Sequence, residues 1–185
     1  DIAAMRALVS VSVGAYGGVD VMFNYSRDIP LAYFSDHAAA YDAWLRCIDI
    51  NFKGVLNGMV AAYDTMIAAG QGQIVNISSI YGNYPTAGAA VYGATKAAVD
   101  MLGESLRLEA RGRIKVTTVK PTGVAGTGLG GTVVNGAGLA GILGGNVDAA
   151  NAVYAGMADG SLDPARLDPA GIDYANLDPG FIADA

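Results

Sequence analysis

The chain has 185 residues, 52% hydrophobic and 15% charged, with a net charge of −6, which predicts one globular domain and excludes a disordered chain. No basic stripe, no apolar run near the roughly 20 residues of a membrane span and no secretory signal are visible. We therefore expect a cytoplasmic protein that binds neither nucleic acid nor a membrane. Cys47 and His37 are the only residues of their types, so we expect no intrachain disulfide and no metal site.

Strands alternate with helices along most of the chain. The predicted elements, in order, are a helix at 2–16, a buried strand at 19–23, a loop at 24–35, a mostly helical stretch at 36–69, a strand at 73–79, a helix at 91–110 and a strand at 114–121. Asp1 is a predicted N-cap, and Gly17 and Gly70 are predicted helix ends. The helix at 91–110 is expected to bury one apolar stripe, namely Val91, Ala94, Ala98, Met101 and Leu102.

This alternation predicts an α/β fold, half of a doubly wound, Rossmann-like parallel sheet, within a single domain at 1–185. Residues 123–147 are glycine-rich and nearly uncharged, and we interpret them as a mobile substrate lid. Their two G-x-G-x-x-G matches are not followed by a strand with an acidic end, so we do not read them as a dinucleotide fingerprint. Residues 148–185 form an acidic tail.

Three polar side chains lie at the end of the predicted strand at 73–79 and in the predicted helix at 91–110. Tyr92 and Lys96 lie one helical turn apart, and Ser79 ends the strand before their helix. A phenol normally keeps its proton until about pH 10, and a nearby ammonium favours the phenolate. Ser79 can hydrogen-bond the oxygen that gains or loses the proton. The three residues are therefore candidates for general acid/base chemistry on an alcohol and its carbonyl partner.

The chain resembles the short-chain dehydrogenase/reductase family over roughly residues 1–128. The matching motifs are Ile48-Asp-Ile-Asn-Phe-Lys-Gly54, Ile74-Val-Asn-Ile-Ser-Ser79, Tyr92-Gly-Ala-Thr-Lys96 and Lys120-Pro-Thr-Gly123. The resemblance implies an NAD(P)-dependent oxidoreductase that interconverts a secondary alcohol and a ketone or aldehyde. It implies Tyr92 as the proton donor and acceptor and Ser79 as the residue holding the substrate oxygen. Lys96 would bind the nicotinamide ribose and lower the tyrosine pKa, and Asn51 would hold a water of the proton relay.

Further contacts follow from the resemblance and the neighbouring residues. We expect the cofactor, NAD or NADP, to be contacted by Asn24, Tyr92, Lys96, Pro121, Gly123, Val124 and Thr127. We expect the substrate, a small or medium apolar ketone or secondary alcohol, to be contacted by Ser79, Tyr81, Tyr84 and Tyr92. Surface packing is an equal alternative for Tyr81 and Tyr84. The family's determinant of NAD against NADP has no counterpart in the chain, so the choice is left open.

The chain departs from the family pattern in three places. The family's first three strands, its phosphate turn and its last strand have no counterpart, and we expect the working protein to carry a conventional amino-terminal half. Where the family has Asn-Asn-Ala-Gly, this chain has Asn24-Tyr25-Ser26-Arg27. Tyr25 and Arg27 either point away, fill cofactor space or offer a charge to a cofactor phosphate. Thr122 is inserted in the family's Pro-Gly pair.

Two further expectations concern partners and activity. The resemblance implies a homodimer or homotetramer formed through the helices at 36–69 and 91–110. The departures also motivate an alternative function, a catalytically silent relative that binds a ligand or partner through the retained fold.

Overall fold

The computed structural model describes residues 1–122, 129–142 and 155–156. The helices are α1 (Ile2–Tyr16), α2 (His37–Cys47), α3 (Gly54–Ala69), α4 (Ala90–Ala110) and α5 (Gly136–Ile142), and the strands are β1 (Val21–Asn24), β2 (Gln73–Ile77) and β3 (Lys115–Val119). Short 3-10 helices cover Phe34–Asp36, Ile80–Gly82 and Leu129–Thr132, and a π-helix covers Ile48–Lys53. The predicted alternation of strands and helices is confirmed.

The described strands form one parallel sheet in the order β1-β2-β3. Its register places Val21 beside Gln73, and Gln73 beside Lys115. Each crossover between neighbouring strands contains helix, α2 to α3 in the first and α4 in the second, as a parallel sheet requires. The chain therefore has a Rossmann-like α/β fold, and the carboxyl ends of β1, β2 and β3 meet at one edge.

The main core lies on one face of this sheet. Helices α1, α3 and α4 cover that face, and their buried apolar side chains pack on Met22 of β1 and Ile74 of β2. The strand predicted as buried at 19–23 is present at Val21–Asn24, but it is buried on one face only. Val21 is 54% exposed and Phe23 46% exposed, because they point to the opposite face, which the described helices do not cover.

The predicted apolar stripe of the helix at 91–110 is confirmed only in part, because Leu102 packs on the main core and Val91 packs on the cluster that contains Trp44. Met101 is 70% exposed, and Ala94 lies at the surface. The residues that α4 buries are Tyr92, Thr95, Lys96, Val99, Gly103, Leu106 and Ala110. A search for apolar residues misses this face because its first two turns carry a phenol, a hydroxyl and an ammonium. Burying such groups requires hydrogen-bond partners, and the active-site geometry supplies them.

Helix ends follow the predicted chemistry. Asp1 caps α1 with a 2.8 Å hydrogen bond from the N–H of Ala3 to Oδ1. Gly17 and Gly70 end α1 and α3 in the left-handed region, with φ of 83° and 71°, where glycine carries no steric penalty. The helical stretch at 36–69 is confirmed, but the π-helix divides it into α2 and α3.

Part of the predicted lid is described. Residues 129–142 form the third 3-10 helix and α5, and we call them the covering segment because of the side chains they pack on. The remainder of 123–147, including Gly123, Val124 and Thr127, and all of the acidic tail except residues 155–156 lie outside the described residues. The single domain at 1–185 therefore stays a prediction.

Across the described part of the chain, no helix combines the length and apolarity needed to span a bilayer. The same residues contain no cluster of three or more His, Cys, Asp or Glu side chains able to hold a metal ion.

Candidate active site

Four side chains of the predicted tetrad lie at the carboxyl edge of the sheet. Ser79 follows β2, Tyr92 and Lys96 occupy the first two turns of α4, and Asn51 lies in the π-helix. All four are buried, with exposed fractions of 5% for Ser79, 5% for Tyr92, 2% for Lys96 and 0% for Asn51. Polar groups buried this deeply must satisfy one another, and the contacts show how they do so.

The Ser79 hydroxyl lies beside the Tyr92 phenol. Burial raises the pKa of the Tyr92 phenol above its ordinary value of 10.0, and the Ser79 hydroxyl lowers it in part. The net direction is opposite to our sequence-based prediction that Lys96 lowers it. The Lys96 ammonium lies 5.8 Å from the centre of the Tyr92 ring, and removal of the phenol from water is the larger effect.

Lys96 is held by backbone carbonyls. Its Nζ donates to the carbonyl oxygens of Ile77 at 2.9 Å and Ser26 at 3.3 Å, so it joins the ends of β2 and β1. Burial lowers the pKa of Lys96 to about 8, although the nearby charge of Asp100 raises it in part. An ammonium has three N–H donors, and the third has no hydrogen-bond partner among the described residues. Lys96 therefore retains one donor for a bound molecule.

Asn51 uses its whole amide within the protein. Oδ1 accepts the N–H of Asp28 at 2.9 Å, and Nδ2 donates to the Asp28 carbonyl at 2.8 Å. Nδ2 also lies 3.2 Å from the Thr95 hydroxyl and 3.2 Å from Cys47 Sγ. Hydrogen bonds in a π-helix join residues five apart, and such irregularities recur at functional sites. The side chain of Asn51 is therefore a fixed part of the site's frame.

Two residues that the sequence analysis missed complete this frame. Thr95 donates its hydroxyl to the Tyr92 carbonyl at 2.7 Å, and Ser78 donates its own to the Lys96 carbonyl at 3.1 Å. Ser78 thereby ties the end of β2 to α4. Only their positions, each adjacent to a tetrad residue, could have drawn attention to them.

The residues at the end of β1 have separate roles. Asn24 is buried and donates from Nδ2 to Asn76 Oδ1 at 2.9 Å, next to the backbone of Gly58. Its predicted cofactor contact stays a prediction, and its side chain faces the core. Tyr25 is 48% exposed, with the Arg27 guanidinium carbon 5.2 Å from its ring centre. The two large side chains thus stack on each other at the surface.

Pro121 and its neighbours lie close to the tetrad. The Pro121 carbonyl accepts the N–H of Ile80 at 3.2 Å, which places it beside the Ser79 turn. Lys120 fixes this strand end, because its Nζ contacts Asp100 Oδ2 at 2.9 Å and Asn83 Oδ1 at 2.7 Å. The structure therefore places Pro121 beside the Ser79 turn, and its cofactor contact stays a prediction.

The two predicted substrate tyrosines differ in position. The Tyr81 ring lies edge-on to Tyr92, with centres 6.4 Å apart, and also to Tyr84 at 6.2 Å. Tyr84 is 49% exposed and lines a groove of about 580 Å³ along Ala90, Ala94 and Ala97. Those alanines are on the outer side of α4. Both tyrosines line this groove, and Tyr81 also contacts the Tyr92 ring.

Apolar side chains of the covering segment pack against Tyr92. Val133, Leu139 and Ala140 form one buried cluster with Tyr92 and Leu31. The N–H of Ile29 donates to Thr132 Oγ1 at 2.9 Å, and the N–H of Val134 donates to the Leu31 carbonyl at 3.3 Å. The covering segment thus lies along residues 29–31 and shares a buried apolar cluster with Tyr92.

Glycines let the covering segment approach other backbones closely. A Cβ at Gly138 would meet the Leu31 and Ala32 backbone, and one at Gly141 would meet the carbonyl of Ala87. Gly88, with φ of 76°, lies against the carbonyl of Gly138. We call these three contacts the glycine seat. The sequence predicted a mobile lid in this region, and the structure uses Gly138 and Gly141 for close packing.

A parallel α/β sheet with a buried Ser-Tyr-Lys site at its carboxyl edge defines a class of nucleotide-dependent dehydrogenases. The family model described as short chain dehydrogenase matches residues 1–138, and the chain belongs to this family. An uncharacterized oxidoreductase of Listeria monocytogenes is 39% identical over 122 residues, covering 64% of this chain and 48% of the relative. The 2,5-dichloro-2,5-cyclohexadiene-1,4-diol dehydrogenase of Sphingobium indicum is 33% identical over 125 residues, 67% of this chain and 49% of that protein.

Solved structures agree with this assignment. A gluconate 5-dehydrogenase from Burkholderia cenocepacia, in complex with NADP and tartrate, matches with a TM-score of 0.64 and 28% identity, over 70% of this chain and 50% of that one. A short-chain dehydrogenase from Streptomyces avermitilis matches with a TM-score of 0.63 and 29% identity, over 69% of this chain and 47% of that one. The chain spans about half the length of the curated relatives it matches.

Proposed function

We propose that the protein is an NAD(P)-dependent oxidoreductase that interconverts a secondary alcohol and a ketone or aldehyde. The observation that carries this proposal is the convergence of Ser79, Tyr92 and Lys96 at the carboxyl edge of the sheet, all at least 95% buried. Family membership supports the same reaction class. The alternative of a catalytically silent relative gains no specific support from the described residues.

In the proposed reaction, Tyr92 moves the proton. During carbonyl reduction its hydroxyl gives a proton to the substrate oxygen, and during alcohol oxidation it takes that proton back. Ser79, whose hydroxyl lies beside the phenol, is positioned to bond the same substrate oxygen. Because burial raises the pKa of Tyr92, the phenol holds its proton at neutral pH in the described state, which suits donation to a carbonyl.

The residues present fit the nicotinamide half of the cofactor. The remaining N–H of Lys96 can bond a ribose hydroxyl, and Pro121 lies beside the Ser79 turn. NAD or NADP, when bound, would supply the hydride acceptor or donor. Asn51 can contribute to a water relay through its main chain, since its side-chain amide is fully used. Arg27 is exposed and available for a cofactor phosphate. Gly123, Val124 and Thr127 stay predicted contacts.

We propose an apolar substrate of small or medium size. The support is the covering segment, whose Val133 and Leu139 pack against Tyr92 together with Tyr81. A site bordered by such side chains favours ketones or secondary alcohols with hydrocarbon substituents over charged ones. Tyr84, at the outer groove, is the weaker member of the predicted substrate set.

We also propose that α4 mediates assembly into a homodimer or homotetramer, together with the helical stretch at 36–69. The support is an exposed stripe at helical spacing along α4, comprising Ala90, Ala94, Ala97, Met101 and Leu108. Small residues at its amino-terminal end allow a second helix to approach closely. On α2, Tyr41 and Leu45 are 59% and 44% exposed and extend the apolar surface.

Hydride transfer tests the enzymatic proposal. NADH and NADPH oxidation is measured with a panel of ketones, comparing wild type with Tyr92→Phe, which removes the phenol oxygen and keeps the ring. We expect the variant to lose at least about a hundredfold in kcat, the usual contribution of a general acid. Cofactor fluorescence is titrated in parallel. Activity that survives Tyr92→Phe sinks the mechanism, and the absence of NADH and NADPH binding favours the silent alternative.

A further inference from the structure

The segment after β1 contains a buried carboxylate that the proposed proton chemistry does not use. The Asp28 side chain is 2% exposed, and its Oδ2 lies 3.1 Å from Nε of Arg46. Arg46 belongs to α2, and its side chain is 56% exposed. Burial of a carboxylate costs free energy unless a cation compensates the charge. Among the described residues, Arg46 is the cation that compensates Asp28, and its side chain extends inward from the surface.

The backbone of Asp28 holds Asn51 at two points. Its N–H donates to Asn51 Oδ1 and its carbonyl accepts from Nδ2, at 2.9 and 2.8 Å. If Oδ1 and Nδ2 of Asn51 exchanged positions, Nδ2 would face the N–H of Asp28 and Oδ1 would face its carbonyl oxygen, and neither pair can hydrogen-bond. The position of the Asp28 backbone therefore determines which way Asn51 faces.

Other parts of the site attach to the same short segment. Cys47 Sγ lies 3.5 Å from the Asp28 carbonyl, Trp44 Nε1 donates to the Pro30 carbonyl at 3.2 Å, and Ile29 N–H donates to the covering segment. All these bonds go to or from the backbone of residues 28–30. The Asp28 carboxylate is the side chain through which α2 can fix the first residue of this segment in place.

We infer that Asp28 and Arg46 are positioning residues for Asn51, acting through the backbone of residue 28. The ion pair fixes that backbone, and the backbone fixes the amide and, through it, the π-helix beside Tyr92. The kinetic part of this inference rests on the proposed function, whereas the structural part stands independently of any reaction. A pair that only stabilised the fold would change the unfolding midpoint and leave the Asn51 amide undisturbed.

The test follows the Asn51 side-chain amide directly in the full chain. In ¹⁵N-labelled protein, its two proton signals are assigned by their loss in Asn51→Asp, and their exchange with water is measured. The variants are Arg46→Ala, Asp28→Asn and the conservative Arg46→Lys. Arg107→Ala is the matched control, since it breaks a 2.6 Å ion pair with Glu104 whose side chains are 51% and 57% exposed.

We expect Arg46→Ala and Asp28→Asn to speed exchange of the Asn51 amide about tenfold or more, while Arg46→Lys stays nearer wild type and Arg107→Ala matches it. The kcat of the fastest ketone from the panel should fall about tenfold with KM nearly unchanged, because small displacements of site groups are costly in rate.

Exchange within about twofold of wild type in both Arg46→Ala and Asp28→Asn overturns the inference. Faster exchange with unchanged kcat supports the positioning of Asn51 and removes Asn51 from the proposed proton relay. If the wild type transfers no hydride, the exchange rates alone decide, so failure of the proposed function is distinguishable from failure of this inference.

Discussion

Replacing Gly138 with alanine should loosen the covering segment and expose Tyr92. A Cβ at this position would lie 2.5 Å from the Ala32 nitrogen, against 3.4 Å for ordinary contact. The two backbones must therefore separate by about 0.9 Å, and neither has a side chain that can rotate aside. Overpacking of this kind costs about 1–3 kcal/mol, and the better helix propensity of alanine offsets about 1 kcal/mol. We expect a net loss of up to about 2 kcal/mol from docking of the segment.

Amide exchange and fluorescence report this loss. The N–H groups of Ile29 and Val134 are hydrogen-bonded between the covering segment and residues 29–31, so their exchange should quicken by up to about thirtyfold. Trp44 is the only tryptophan in the sequence and packs near Val134, so its emission should shift to the red.

Gly131→Ala supplies the matched control, because nothing lies within 4 Å of a Cβ there. It belongs to the same segment and should leave both signals as in wild type. Equal protection of Ile29 in Gly138→Ala and Gly131→Ala would refute the close packing assigned to the seat.

Three further predictions concern stability and assembly. Gly58→Ala should destabilise the fold by about 1–3 kcal/mol, because its Cβ collides with the buried Asn24 amide. Gly14→Ala, with open space around it, should be neutral or stabilising in urea unfolding. Equal effects of the two substitutions would contradict the Asn24–Gly58 contact. Burial raises the pKa of Cys47 from 9.0 to about 11, so the contribution of the thiol to stability is complete below pH 9 and is lost as pH rises to 11. The loss of unfolding free energy over this pH range, measured by denaturant titration, should be smaller in Cys47→Ala. An identical dependence of unfolding free energy on pH in the two proteins would count against the buried thiol. Met101→Asp on the exposed stripe should shift light scattering toward monomer, with Glu109→Lys, also at the surface, as control; a purely monomeric wild type removes the assembly proposal.

The element order was predictable because its signals are local. Asp1, Gly17 and Gly70 mark helix ends through caps that need no tertiary contact. The Tyr92–Lys96 pair was recognisable from spacing, since a tyrosine and a lysine one turn apart must share a helix face, whereas Asn51 was named only through the family resemblance.

What the sequence could not provide depends on long-range packing. The inward face of α4 was misassigned in part because it carries Lys96 and Thr95, whose burial is stabilised by carbonyls and an amide from other elements. Asp28 and Asn51 are 23 residues apart, so no local pattern connects them. The direction of the Tyr92 pKa shift was also not predicted. The pKa depends on burial among residues from other elements, and the sequence showed only the adjacent lysine.

The glycine seat separates the residues that hold the covering segment from those that meet the site. Attachment rests on backbone contacts at Gly88, Gly138 and Gly141, whereas Val133 and Leu139 supply the surface against Tyr92. Apolar substitutions of similar size at these two positions would leave the glycine contacts and the Thr132 and Val134 hydrogen bonds in place. Under the proposed function, substrate range can therefore change at these two positions while the glycine contacts stay the same. A library randomised at 133 and 139 alone would sample this range.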